Sequence, residues 1–166
     1  MVKTKNRLFA SERTAPPLDG DEWQYLLNLV DQLTLTGGSY RPLVLSFLRG
    51  LSLFHLRQYD ASTDAFREVD RESETSWGKQ RIIRSYLASQ KSGHPQMFHG
   101  TAAWVTPDGA RAEVYVEEIM RRVPFFPREF GKENIRKGEA LGEFHIAFNF
   151  LGPVADPKGY LRKERS

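Results

Sequence analysis

The sequence predicts an α+β protein in which helices come first and β-strands follow. In the first half, apolar residues recur three and four positions apart, which is typical of helices with one buried face. In the second half, short apolar runs alternate with polar residues and end at Gly or Pro, which is typical of half-buried strands. The segment Lys91–Pro95 separates the two patterns and is the best linker candidate. A run of helices followed by a run of strands indicates an α+β protein or two domains.

Four helices are predicted in the first half, and each has an apolar face. Their approximate ranges are 22–36, 42–57, 61–71 and 77–89. Asp19 or Asp21 can cap the first helix, and Gly37-Gly38 ends it. The second helix carries apolar residues around most of its circumference, so we expect it to be the buried one.

The strand half contains four apolar runs, at about 98–105, 114–116, 123–126 and 144–150. In the last run, Phe144, Ile146, Phe148 and Phe150 fall on one face, and polar or small residues fall on the other. Several short strands at close spacing predict a small barrel or sandwich.

Short segments of the strand half also match, in order, the motifs of one family. They are Gly100-Thr101-Ala102-Ala103-Trp104-Val105, Val114-Tyr115-Val116, Pro124-Phe125-Phe126-Pro127, Ile135-Arg136-Lys137-Gly138 and Gly152-Pro153-Val154-Ala155. On these segments the chain resembles a cold-shock domain, a five-stranded OB-type β-barrel that binds single-stranded nucleic acid. The chain departs from that family at Pro127, where the family has histidine, and it lacks the family's extra aromatic residue in the second strand.

The second and third helices resemble a single tetratricopeptide (TPR) hairpin. Gly50, Tyr59 and Phe66 fall at the small, turn-aromatic and second-helix aromatic positions of that repeat, whereas Ser62 stands where the repeat usually has alanine. A small helical bundle that fits the pattern by chance is an equally weighted alternative. The resemblance implies a surface for a protein partner, since such repeats usually bind proteins.

Together these patterns predict an N-terminal small α-helical, TPR-like unit followed by a C-terminal five-stranded OB-type β-barrel. The expected division is a loose arm at 1–18, a helical domain at 19–92, a cold-shock-like domain at 96–160 and a basic tail at 161–166.

Composition excludes several classes of protein. The chain of 166 residues has no cysteine, so disulfides and thiolate metal sites are excluded. No apolar run approaches the roughly 20 residues that a membrane helix needs, and the start leads into no signal-peptide core. We therefore expect a cytoplasmic protein with no membrane partner. The net charge of +3 is too small to indicate a nucleic-acid ligand by itself.

Strand alternation predicts which aromatic side chains face outward. Tyr115 lies between two apolar valines and should point away from the core. Phe125 and Phe126 are neighbours and must face opposite ways, and the resemblance puts Phe125 outward and Phe126 inward. Strict alternation puts Trp104 on the core side with Ala102, whereas the resemblance puts it on the ligand face, which requires a β-bulge.

The resemblance implies a nucleic-acid site in which Trp104, Tyr115 and Phe125 stack on bases. The candidate phosphate contacts are the basic residues Arg111, Arg121, Arg122, Lys132, Arg136 and Lys137. The alternative is that these aromatic residues fill the core or pack against the helices, as large aromatic residues more often do.

The sequence gives little support for catalysis. The histidines His55, His94, His99 and His145 have no partner at metal-ligand spacing. The adjacent carboxylates of Glu117 and Glu118 are expected to point to opposite faces of a strand, and so are unsuited to act as an acid–base pair. We expect a protein that is not an enzyme and uses no cofactor or metal.

The prediction for function is binding of single-stranded RNA or DNA by the barrel, with a protein partner for the helices. One alternative is a protein-interaction module whose barrel no longer binds nucleic acid. Another is an accessory subunit of a nucleic-acid enzyme whose active site lies on a different chain.

Overall fold

A computed structural model describes residues 19–37, 42–72, 86–90 and 94–157. The helices are α1 (Gly20–Thr36), α2 (Pro42–His55) and α3 (Tyr59–Glu72). The strands are β1 (Tyr86–Leu87), β2 (Gly100–Val105), β3 (Ala112–Val116), β4 (Arg121–Phe125), β5 (His145–Asn149) and β6 (Gly152–Asp156). A 3-10 helix (Pro127–Phe130) follows β4. The predicted α+β class is therefore confirmed.

The ends of α1 are set by local chemistry. The Asp19 carboxylate accepts a hydrogen bond from the Glu22 backbone N–H at 2.9 Å, and the Glu22 carboxylate accepts one from the Asp19 N–H at 3.1 Å. This reciprocal capping box satisfies backbone donors that the first turn leaves unpaired. Gly37 ends the helix with φ at 64°, a left-handed conformation that glycine adopts without steric cost. The predicted cap and stop are both confirmed.

Helices α2 and α3 pack closely at Gly50. A Cβ atom on Gly50 would lie 2.9 Å from the ring of Phe66, so only glycine allows this approach. Ser62 is buried in the same contact, and its hydroxyl donates a hydrogen bond to the Gly50 carbonyl at 2.7 Å. Gly50 and Phe66, two of the three residues that carry the TPR resemblance, are thus in close contact, and the serine that departs from the repeat donates a hydrogen bond to Gly50.

The predicted fourth helix is wrong at its C-terminal end. Tyr86 and Leu87, which were predicted to be helical, form strand β1. The N–H of Ala88 donates to the Ile146 carbonyl at 2.7 Å instead of to a carbonyl one helical turn earlier. Residues 77–85 of that prediction lie outside the described part. The N–H of Gln90 donates to the His94 carbonyl at 2.8 Å, so the two sides of the predicted linker pair with each other.

The strands form two antiparallel three-stranded sheets. The open sheet has the order β2-β3-β4, and the covered sheet has the order β1-β5-β6. Hydrogen bonds between 98–102 and 138–144 join β2 to the segment that leads into β5. Strands β4 and β6 lie side by side, but no ladder joins them in the described chain, so the sheets do not close into one hydrogen-bonded barrel.

One hydrophobic core connects the helices to the covered sheet. The ring of Phe148 lies 4.9 Å from that of Phe54 and 6.1 Å from that of Phe66, measured between centroids. Trp23 and Phe54, which a partner-binding role would expose, are 5% and 7% exposed. The core therefore runs across the predicted division between 19–92 and 96–160.

His55 links α2 to the segment that follows β1, within the predicted fourth helix. Its ring stacks on Trp23 with centroids 4.0 Å apart. Its Nδ1 lies 2.8 Å from the Leu51 carbonyl, and its Nε2 accepts a hydrogen bond from the Ser89 N–H at 3.2 Å. These two bonds together require a neutral ring with the proton on Nδ1. Burial lowers the pKa of His55 to about 4.

Candidate nucleic-acid interface

A β-bulge in β2 turns Trp104 outward. Ala102 pairs with Val114 and Trp104 pairs with Glu113, so Ala103 is an extra residue in the strand. The extra residue reverses the alternation, and Trp104 is 48% exposed although Ala102 is buried. The bulge that the resemblance required is confirmed.

The outward side chains of the open sheet form two rows across its three strands. One row contains Trp104, Glu113 and Pro124, and the other contains Thr101, Tyr115 and Arg122. Directly paired residues point to the same side of a sheet. We call this surface the outer face and define it as Thr101, Trp104, Arg111, Glu113, Tyr115, Arg122, Pro124 and Phe126. Tyr115 is 40% exposed, so its predicted outward direction is confirmed.

The prediction for the two phenylalanines after Pro124 is wrong. Phe125 is 1% exposed and its ring packs on Phe130 with centroids 5.3 Å apart. It lies two residues after the buried Val123, so strand alternation carries it into the core. Phe126 is 37% exposed and has extended backbone, which places its side chain on the opposite side. The third aromatic residue of the outer face is therefore Phe126.

Two of the predicted basic residues belong to the outer face. Arg111 is exposed and ends the turn between β2 and β3, where its N–H donates to the Thr106 hydroxyl at 3.0 Å. Arg122 is exposed and lies opposite Tyr115. Arg111 and Arg122 are therefore on the same side of the sheet as Trp104 and Tyr115.

The loop after the 3-10 helix runs antiparallel to β2, on the side away from β3. Ala140 bridges Thr101, and the Gly138 N–H donates to the Ala102 carbonyl at 2.7 Å. Lys137 and Arg136 precede Gly138, so they lie toward the Trp104 end of β2, and both are exposed. The loop thus brings two predicted phosphate contacts to the flank of the outer face.

Two other predicted phosphate contacts have protein partners elsewhere. The Arg121 guanidinium lies 2.7 Å from the Asp60 carboxylate at the start of α3, which directs it toward the helices. The Lys132 ammonium donates to the Ala140 carbonyl at 2.9 Å. An open pocket of about 440 Å³ lies beside Lys132, and Glu133 and Glu139 also line it.

The charges of the chain are unevenly distributed. Among the described residues, acidic side chains outnumber basic ones, whereas basic residues outnumber acidic ones in the terminal segments 1–18 and 158–166. The outer face is itself mixed, because Glu113 lies between its arginines. The described surface therefore offers a polyanion local contacts rather than a broad positive field.

His99 lies just before β2, between two carboxylates. Its Nδ1 is 2.8 Å from a Glu118 oxygen, and its Nε2 is 3.5 Å from a Glu143 oxygen. The hydrogen bond with Glu118 raises the pKa of His99. In the ranges that the structure describes, no group of three or more His, Asp or Glu is arranged to hold a metal ion.

Comparison with protein-family models, curated proteins and solved structures finds no significant match. None of the described helices is long and apolar enough to cross a membrane.

Proposed function

We propose that the outer face binds single-stranded RNA or DNA. The observation that carries the proposal is the bulge, because it exposes Trp104 on the same surface as Tyr115. Burying a large apolar side chain stabilises a protein by about 1.5–3 kcal/mol, so a strand that turns a tryptophan outward forgoes that gain. Phe126 adds a third exposed ring. Flat exposed rings are the groups on which unpaired bases stack.

The path of the strands supports an OB-type fold for this surface. Strands β2, β3 and β4 follow one another in a meander, the segment before β5 returns beside β2, and β6 lies between β5 and β4. The same strand order occurs in five-stranded Greek-key barrels, although here no ladder joins β4 to β6 among the described residues. In such barrels the ligand crosses the middle strands of the meander, which here carry the outer face.

The expected binding combines stacking with a few ionic contacts. Each stacked base contributes about 1–3 kcal/mol. Arg111 and Arg122 on the outer face, and Arg136 and Lys137 on the loop beside β2, are exposed and can meet phosphates. Because acidic side chains predominate on the described surface, these contacts supply a modest salt-dependent term. We therefore expect a short binding footprint in which stacking contributes most of the affinity.

The test is fluorescence anisotropy of labelled single-stranded RNA and DNA, titrated with protein at low and moderate salt. The double variant Trp104→Ala/Tyr115→Ala should bind at least tenfold more weakly, since it loses two stacking rings. The matched control is Tyr25→Ala/Leu35→Ala, which removes two exposed apolar side chains from α1. No binding at low salt, or equal binding by both variants, would contradict the proposal.

A protein-interaction module is the second candidate. It is favoured by the exposure of Tyr25 and Leu35 on α1, at 55% and 86%. The inner faces of α2 and α3 are already covered by β5 and β6, so a protein partner would have to meet the outer side of the helices. A concentration-dependent mass in sedimentation that the Tyr25→Ala/Leu35→Ala variant loses would support this candidate.

A further inference from the structure

Glu113 occupies the centre of the outer face. Trp104 lies directly opposite it on β2, Pro124 lies directly opposite it on β4, and Tyr115 follows two residues along the same strand. Paired side chains on one face of a sheet have Cβ atoms about 4.5–5.5 Å apart. A base that stacks on Trp104 or Tyr115 therefore lies beside this carboxylate and can turn its polar edge toward it.

The Glu113 carboxylate accepts no hydrogen bond from any part of the chain that the structure describes. Its nearest cation is Arg122, whose Nη1 lies 3.8 Å from Glu113 Oε2. That separation is an ionic contact but too long for a hydrogen bond. The Glu113 side chain is 40% exposed, so both oxygens can accept hydrogen bonds from a ligand.

A carboxylate in this position discriminates between the parts of a nucleic acid. It repels phosphates, so the backbone of the strand must pass along the rim, where Arg111 and Arg122 lie. It attracts donor groups on the exposed edges of unpaired bases. Among the four common bases, guanine alone presents two adjacent donors on its Watson–Crick edge, N1–H and N2–H₂. Adenine and cytosine present one amino group beside a ring nitrogen acceptor, and uracil presents one N–H between two carbonyl oxygens.

We propose that Glu113 makes the outer face select guanine, through two hydrogen bonds from guanine N1–H and N2–H₂ to its carboxylate while the base stacks on Trp104 or Tyr115. The inference rests on the proposed function and adds a base preference to it. A cationic ligand is less favoured than guanine at this position, because Arg122 already supplies a positive charge next to the Glu113 carboxylate.

The experiment compares three RNA nonamers by anisotropy: all uridine, uridine with one central guanosine, and uridine with one central inosine. Inosine keeps N1–H but lacks the amino group. A bidentate contact typically discriminates by about 1–3 kcal/mol, or about 5- to 150-fold. The wild-type protein should therefore bind the guanosine nonamer at least fivefold more tightly than the all-uridine one, and inosine should lose most of that gain.

Two variants assign the preference to Glu113. Glu113→Ala should abolish the guanosine preference and keep, or slightly strengthen, the binding of the all-uridine nonamer, because a negative charge is removed. Glu113→Gln keeps the shape of the side chain but offers one acceptor oxygen, so it should retain a reduced preference. The control is Glu117→Ala, which removes an exposed carboxylate just beyond β3 and should leave the preference unchanged.

The outcomes separate the two proposals. Binding with no guanosine preference, or with a preference that Glu113→Ala retains, would overturn the role of Glu113 and leave the proposed function standing. Absence of binding to every nonamer at low salt would overturn the proposed function, and the base preference with it. Quenching of tryptophan fluorescence by a methyllysine peptide that Trp104→Ala abolishes, in the absence of any oligonucleotide binding, would overturn both proposals and assign the face to a cation.

Discussion

The two sheets contain equal numbers of strands but differ in how they meet their surroundings. In the covered sheet, the consecutive residues Ile146, Ala147 and Phe148 are all buried, and Phe148 packs against the helices through Phe54 and Phe66. In the open sheet, β3 alternates between buried and exposed positions. The covered sheet therefore supplies most of the buried contacts with the helices, and the outer face of the open sheet stays available for a ligand.

The largest expected effect comes from breaking the covered sheet. Phe148→Ala removes a fully buried ring that touches Phe54 and Phe66. The free energy of unfolding should fall by about 3–5 kcal/mol, the usual cost of deleting a large aromatic side chain from a core. Urea denaturation followed by circular dichroism measures the loss.

The matched change on the open sheet is Tyr115→Ala, which should lower the free energy of unfolding by about 1 kcal/mol or less, as is usual for partly exposed positions. It should weaken oligonucleotide binding instead. Equal destabilisation by Phe148→Ala and Tyr115→Ala would refute the division of roles between the two sheets.

A pH titration tests the attachment of the helices to the covered sheet. The pKa of His55 is lowered from 6.5 to about 4 in the folded protein. The unfolded chain therefore binds a proton more readily than the folded one. Stability is fully present above pH 6.5 and is lost as the pH falls toward 4. The loss is at most on the order of 3 kcal/mol, since one pKa unit corresponds to about 1.4 kcal/mol.

The check is the free energy of unfolding from urea curves between pH 7.5 and pH 4.5, for the wild type and His55→Gln. The variant should be less stable at pH 7.5 but should show a shallower decline on acidification. His99→Gln is the control, because the raised pKa of His99 gives a contribution of opposite sign, which is lost as the pH rises. An unchanged slope in His55→Gln would show that His55 is not the group responsible.

The smallest expected effect is a gain of stability at the turn between β3 and β4. Met120 is 67% exposed and has φ at 52°, a left-handed conformation that disfavours residues with a Cβ atom. Met120→Gly should raise the free energy of unfolding by about 0.5–1 kcal/mol, after the entropy of glycine is subtracted. Met120→Ala keeps the Cβ atom and should give no gain, so equal effects of the two changes would argue against backbone strain at this turn.

Local signals in the sequence predicted the local features of the fold. Asp19 and Gly37 begin and end α1 because their side-chain and backbone chemistry acts within one helical turn. The alternation around Tyr115 gave its direction correctly. The end of the predicted fourth helix was wrong because Tyr86 and Leu87 pair with β5, and a contact across so many residues leaves no trace in local periodicity.

The candidate site was predicted in part, for similar reasons. Trp104 faces outward because of a bulge, which alternation alone does not reveal and which entered only through the resemblance. Phe125 was misplaced because the resemblance set its direction, although the spacing from the buried Val123 gives the correct one. Glu113 is a surface acid in the sequence, and its central place became visible only with the register of the three strands.

The position of Phe148 on the helices has a consequence for synthesis of the chain. Phe47, Phe54 and Phe66 leave the ribosome long before β5 and β6, so the emerging helices expose aromatic rings with nothing to cover them. Exposed aromatic surface of this kind makes an incomplete chain prone to aggregate and to bind chaperones. A ribosome that stalls between α3 and β5 would therefore release a fragment with exposed core aromatics, which quality-control proteases would recognise.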